Sequence, residues 1–355
     1  MLHGGEIYEN ANIQYDFSVS INPLGLPEKA VRRLRETVPL LTRYPDQSCG
    51  ALRKALQRST GVPAHQILCG NGASELIEAA VRGLGARSIL LTAPSFSGYL
   101  HAAGAAGAEV RFHKLRREED FVLTDRYFDD LAEGPDMAIL CSPANPVGNR
   151  IDPGRLRRIA QFCGEKKIWL MVDECFLGFL ADGEETTMRR LLTDPEGGGR
   201  LLVLDAFTKR YAMPGIRLGY LMARDPSVLA AIHAQQPEWS VSVPAQVAGV
   251  AALEEDRSYM ERARALIASE RRRMSDAIEA LGLRVFPGEA NYIFFSSETE
   301  LQGPLLKRGI LIRRCDNYRG LEKGDYRAAV LCPEENDILL GAMAEILRGK
   351  EPADG

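Results

Sequence analysis

No two of the seven cysteines stand in a CxxC spacing, and their number is odd. The pattern fits the reduced, mostly buried thiols of a cytoplasmic protein better than a disulfide framework. The five histidines form no HExxH or similar cluster, which argues against a metal site. No apolar run reaches the ~18 residues of a membrane span. The start MLHGGEIYENANIQ lacks the basic-then-apolar order of a signal peptide, so no targeting segment is expected. An excess of basic charge is missing too. With Lys+Arg 44 against Asp+Glu 48 the net charge is −4, which disfavours nucleic acid as the main partner. The one basic cluster, ERRRM at 270–274, reads as the solvated face of a helix. What remains is an ordinary globular composition, 45% hydrophobic and 26% charged over 355 residues. At about 150 residues per domain, that length suggests two domains.

From about residue 66 to 220, short continuous apolar runs alternate with helical patterns. ILCG, SILLT, EVRFH, MAILCS, IWLMVDE, LLVLDA and IRLGYLMA are the strand candidates, the last spanning 216–223. Runs of this kind, with helices between, describe a sheet buried on both faces: an α/β fold whose large domain holds a mostly parallel sheet flanked by helices. Beyond Pro237 the pattern changes to a long helical region from about 245 to 281, then short strands and a closing helix, a smaller α+β domain. The expected organisation is an arm at 1–40 packing with the small domain, a large domain at 41–245, a small domain at 246–349 and a tail at 350–355. The glycines of HAAGAAGAEV are expected to allow close helix packing.

The candidate functional residues follow the strand candidates, where loops of such sheets bind ligands. GNGASE, at 70–75, joins a strand to a helix; its glycines and free amides suit an anion, although a tight turn with Ser74 as N-cap is the plainer reading. Asn145, between two prolines, offers a rigid amide or is simply a turn asparagine. Asp173 ends an apolar strand, where a carboxylate is either paired or a cap. Lys209 is a surface charge or an amine able to bond an aldehyde. Arg217, eight residues on, fits a phosphate fork or a salt bridge. One small molecule asks for all five groups, pyridoxal 5′-phosphate, with Phe96 available to stack on its ring.

In the order GNGASE, PSFSGY, NPVG, DE, TK and the following arginine, these motifs resemble the fold-type I pyridoxal-phosphate enzymes of the aspartate aminotransferase superfamily. The resemblance implies that Lys209 bonds the cofactor aldehyde, Asp173 pairs with the pyridine nitrogen and Asn145 with the ring hydroxyl. Phe96 would stack, and Gly72, Ala73, Ser74, Thr208 and Arg217 would hold the cofactor. Tyr44, in RYPD, would reach the phosphate of a neighbouring subunit, which implies a homodimer with shared active sites. Arg327, in DYRAAV, would bind the substrate α-carboxylate. HGG at 3–5, DFSVSINPLG at 16–25, EWSVS and ILIRRCDNYRGL give a closer likeness to the threonine-phosphate decarboxylases of cobalamin biosynthesis and to histidinol-phosphate aminotransferases. By that likeness Arg313, His3 and Gly25 join Arg327 in binding a phosphorylated amino acid. The sequence departs from the family pattern at Glu6, Ala144, Val147, Ala206 and Leu331. The implied activity is decarboxylation of L-threonine O-3-phosphate. Transamination is the alternative, and a non-catalytic protein that kept the fold is a third reading.

Overall fold

The computed structural model describes residues 4–5, 7, 12–194, 199–255 and 257–349. Its strands are β1 (Tyr15–Asp16), β2 (Ile67–Gly70), β3 (Ser88–Ala93), β4 (Glu109–Lys114), β5 (Met137–Cys141), β6 (Trp169–Asp173) and β7 (Leu201–Ala206). They continue as β8 (Gly219–Ala223), β9 (Arg284–Val285), β10 (Tyr292–Ser296), β11 (Ile310–Leu311), β12 (Arg313–Arg314) and β13 (Asp325–Ala329).

The large sheet runs β2-β8-β7-β6-β5-β3-β4. Its members β4, β3, β5, β6 and β7 are parallel, and β8 is antiparallel to both β7 and β2. Every residue of β5, β7 and β8 is buried, which is why these strands read as unbroken apolar runs rather than alternating ones. Two apolar clusters lie on the two faces. One gathers Leu140, Leu170, Val172, Val203 and Met222; the other gathers Ile139, Met171, Leu202, Leu204 and Leu221. The order reverses at β3, with β4 on one side and β5 on the other, and such a point opens a crevice at the strand ends.

A second sheet, β12-β13-β10-β9, is antiparallel and packs with the helices Arg257–Ala280 and Pro333–Leu347 around Phe295, Ile312, Ala328 and Leu339. The arm is stitched to it: β1 pairs with β11, Phe17 N–H donates to the Leu311 carbonyl, and Ala329 N–H donates to that of Phe17. From there the arm runs on to Asn22, whose N–H donates to the Lys209 carbonyl at 2.9 Å.

Three local expectations are corrected. The long helix is two, Val243–Leu253 and Arg257–Ala280, and Ser242 caps the first by accepting the Ala245 N–H. The last strand of the large sheet begins at Gly219 rather than 216, because Pro214–Ile216 form a tight turn and Arg217 takes a φ of 58°. The glycines of HAAGAAG do not serve close packing: a Cβ on Gly104 or Gly107 would meet nothing within 4 Å. Gly107, at φ 69°, instead serves the left-handed turn after the helix Ser97–Ala105.

Candidate active site

The ends of β3, β5, β6 and β7 and the arm enclose a cavity of about 240 Å³. Lys209, Asp173, Asn145, Arg217, Phe96, Ala73, Ser74, Thr208 and Arg327 all line it. Gly72 stands immediately behind, with a φ of 80° and no side chain; a Cβ there would lie 2.6 Å from an Arg217 Nη. Gly219 is needed at the same spot, since its Cβ would sit 2.8 Å from the Ala73 N–H nitrogen. The helix Gly72–Gly83 thus presents its first amides and the Arg217 guanidinium together, an anion-binding arrangement. Ser74 lies inside that helix and is not its cap. Glu75 bonds back to the Asn71 N–H at 2.8 Å and holds the following loop through Gln236 Nε2 at 2.7 Å.

Asp173 is buried at the end of β6. Its Oδ2 accepts the Tyr99 hydroxyl at 2.7 Å, and its Oδ1 accepts the Cys175 N–H at 3.0 Å. No ion pair with a described residue neutralises it. Taking a carboxylate out of water costs several kcal/mol, and hydrogen bonds to a charged group return about 1.5–3 kcal/mol each. The balance is near even. Burial accordingly raises the Asp173 pKa above the usual carboxylate value, the bonds from Cys175 and Tyr99 pull it back, and the nearby Asp205 pushes it up again. A cation beside its free lone pairs would settle the account.

Lys209 projects into the cavity from the short helix Phe207–Arg210. Enclosure by protein, then the positive charges of Arg327 and Arg217, lower its pKa from 10.5 to about 8, so about a tenth of the amine is unprotonated at pH 7. Arg327 is held by Asn145 Oδ1 at 2.6 Å and the Ser18 carbonyl at 2.8 Å, with the Tyr292 ring 4.9 Å beneath. Its Nε is a buried donor with no hydrogen-bond partner among the described residues. Tyr292 in turn donates to the Ala144 carbonyl at 2.7 Å, which ties the Asn145 loop to the second sheet.

Arg313 is directly opposite Arg327 across the β12–β13 pair. It is buried, donates to Asn317 Oδ1 at 2.9 Å and lies 5.2 Å over the ring of Tyr318, itself a wall of the cavity. Besides Gly72, three expected residues are not in the lining of this cavity: Arg313, Tyr44 and Gly25. Tyr44 is 81% exposed and packs on Trp239 at 4.8 Å. Gly25 lies in a turn where its carbonyl accepts the Tyr259 hydroxyl at 2.7 Å, outside the cavity lining. His3 and Glu6 lie outside the described residues. Of the departures, Ala206 lines the cavity, whereas Val147 and Leu331 are buried in apolar clusters and are not in its lining.

The sequence reading did not single out Tyr99, Cys141, Cys175 or Tyr318. Tyr99 had a signal: it stands in the first turn of the helix Ser97–Ala105, which Phe96 immediately precedes, and the two rings meet edge-on at 5.4 Å. Cys141 was marked only by register, being the β5 partner of Asp173.

Residues 12–343 match the aminotransferase class I and II family. Threonine-phosphate decarboxylase of Salmonella typhimurium is 38% identical, over 99% of this chain and 98% of its own. Histidinol-phosphate aminotransferase of Desulfitobacterium hafniense is 34% identical over 92% of this chain and 90% of its own. The crystal structure of the histidinol-phosphate aminotransferase from Clostridium acetobutylicum superimposes with a TM-score of 0.87 at 30% identity, covering 94% of this chain and 99% of that one. With the fold-type I architecture and this cavity, the chain belongs to the aminotransferase class I and II family of enzymes.

Proposed function

We propose that this protein is a pyridoxal 5′-phosphate-dependent decarboxylase of L-threonine O-3-phosphate, releasing carbon dioxide and aminopropanol phosphate. The residues fit the cofactor. Asp173 is a buried carboxylate suited to a cationic ring nitrogen, the helix start with Arg217 suits an anion, and Lys209 is an amine of lowered pKa in the same cavity. In this reading Gly72, Ala73, Ser74, Thr208 and Arg217 hold the phosphate, Asp173 the ring nitrogen, Asn145 the ring hydroxyl and Phe96 the ring face. The chemistry that pyridoxal phosphate supplies when bound is an aldehyde for the substrate amine and a ring that accepts electrons from Cα. Arg327 grips the α-carboxylate and sets which Cα bond stands perpendicular to that ring. Lys209 Nζ, as the ammonium, would deliver the proton that replaces the departing carboxylate at Cα. Phe176 closes the wall and leaves no hydroxyl at that position.

The observation that carries the substrate assignment is the pair Arg327 and Arg313, in register on neighbouring strands. Two arginines side by side suit a substrate with two anionic groups, a carboxylate and a phosphate. The Salmonella relative is named for that substrate. A second reading, transamination of a phosphorylated amino acid with a 2-oxo acid, is favoured by the Desulfitobacterium and Clostridium relatives. One incubation separates them: cofactor-loaded protein, L-threonine O-3-phosphate and 2-oxoglutarate, with products read by mass spectrometry. Carbon dioxide with aminopropanol phosphate is the expected result, and glutamate in its place makes the protein an aminotransferase.

In this reading the protein is a cytoplasmic homodimer, and Tyr44 supports the dimer. It is exposed beside Trp239, and Val38 and Leu41 are exposed apolar residues on the same segment. In this reading Tyr44 reaches the cofactor phosphate of the partner copy. Sedimentation is expected to give twice the 39.1 kDa chain mass, and a monomer that retains full activity would remove the shared site.

A further inference from the structure

The turn that carries Lys209 is closed on itself by one carboxylate. Asp205, in β7, accepts the Ala206 N–H on Oδ1 at 2.7 Å. Its Oδ2 accepts the Tyr220 hydroxyl at 2.7 Å and pairs with Arg210 Nη2 at 3.1 Å. Between these anchors lies only the helix Phe207–Arg210, a single turn. A turn of this length fixes many dihedrals for one hydrogen bond and does not hold itself. Asp205 holds the amide just ahead of the turn, that of Ala206, and the turn's last residue through Arg210, while the Phe207 N–H donates to the Leu218 carbonyl at 3.1 Å. From the other side the arm fixes the same end, with Asn22 N–H on the Lys209 carbonyl and Asn22 Nδ2 on the Arg210 carbonyl, each at 2.9 Å.

The two basic side chains part company at this point. Lys209 lines the catalytic cavity, whereas Arg210 borders a separate polar cavity of about 590 Å³ beside Tyr211, Tyr259 and Arg264. Arg210 passes Gly178 on the way, where a Cβ would collide with its guanidinium. Arg264 holds that wall by donating Nε to the Gly178 carbonyl at 2.9 Å. The Arg210 and Asp205 side chains are 12% and 5% exposed, and an ion pair so enclosed is weak evidence for stability, since desolvation offsets most of the attraction. Geometry is the better account of it.

We propose that Arg210, through its ion pair with Asp205, is the positioning residue of Lys209, fixing the backbone from which the amine projects while touching neither substrate nor cofactor. The inference rests on the reading of Lys209 as the cofactor-bonding amine. Its test uses Arg210→Met, Arg210→Lys and the double variant Asp205→Asn with Arg210→Met, which removes both charges. In the loaded enzyme Arg210→Met is expected to lower kcat by about tenfold or more while KM stays within about twofold, the cost of a misplaced catalytic group. In the cofactor-free protein, amide exchange over residues 206–211 is expected to quicken by about tenfold or more while β5 and β6 stay protected. Arg210→Lys recovers part of both effects. The double variant regains thermal stability without regaining kcat or local protection. Recovery of both by the double variant, or unchanged exchange in Arg210→Met, overturns the proposal. If Arg210→Met does not fold, the lysine and double variants decide between the same outcomes. A wild-type protein that turns over no amino acid defeats the functional reading instead, and the exchange measurement still decides whether Arg210 holds the turn.

Discussion

Replacing Lys209 with alanine is expected to abolish turnover, by about 10⁴-fold or more, because in the proposed function the same amine bonds the cofactor and delivers the proton to Cα. The cofactor is still expected to bind, held by the helix start and Arg217, but without its covalent bond and the absorbance that comes with it. Stability of the cofactor-free protein should move the other way. The folded pKa of Lys209, about 8, lies below its ordinary 10.5, so the unfolded chain binds more protons between those values. The wild type therefore carries a penalty that is complete below about pH 8 and is relieved as pH rises toward 10.5. The penalty is on the order of 2 kcal/mol, less than the full shift implies, because Asp173 also loses a favourable neighbour when the lysine goes. Thermal unfolding at pH 7 and at pH 10 measures it: the variant should be the more stable at pH 7, with the gap narrowing at pH 10. Residual turnover near wild type would reassign the reaction to another group.

The residues that line the cavity were legible because they stand where strands end. Asp173 and Lys209 each follow an unbroken apolar run, and a run of that kind predicts its own burial and the position of its last residue. Arg217 was legible by spacing, yet its left-handed backbone was not, and the expected strand began too early as a result. The break between the two long helices escaped because the stretch EEDR at 254–257 holds neither glycine nor proline to mark it. Tyr99 and Arg210 were hidden for a different reason. Their partners, Asp173 and Asp205, are fixed by tertiary packing of a helix on a sheet and of a single turn on its own strand. Neither pairing leaves a period in the sequence. Arg313 sits between these cases: its facing Arg327 follows from strand pairing, but how it meets the cavity depends on Tyr318 and Asn317 in the next loop.

Asp173→Asn separates the two things this carboxylate does. The amide keeps the shape, and the Tyr99 hydroxyl can turn to accept where it now donates, so the fold is expected to survive. Without cofactor, the wild-type acid has a pKa raised first by burial, which means the folded state binds more protons than the unfolded one above pH 3.8. Stability is thus lost as pH rises from 3.8 through the folded value, and above that window the charged carboxylate is a standing cost. The asparagine carries no such cost, so the cofactor-free variant should unfold at a higher temperature than wild type at neutral pH and at a similar one in acid. With cofactor the sign reverses. A buried charge partner that has been removed costs about 3–5 kcal/mol, so affinity for pyridoxal phosphate should weaken and kcat should fall by about 10²–10³-fold. Melting curves with and without cofactor, together with kcat, read both effects on one protein. A variant stabilised in neither state and unchanged in kcat would mean that Asp173 is a strand-end cap and nothing more, and the partner of the ring nitrogen would have to be sought elsewhere in the cavity.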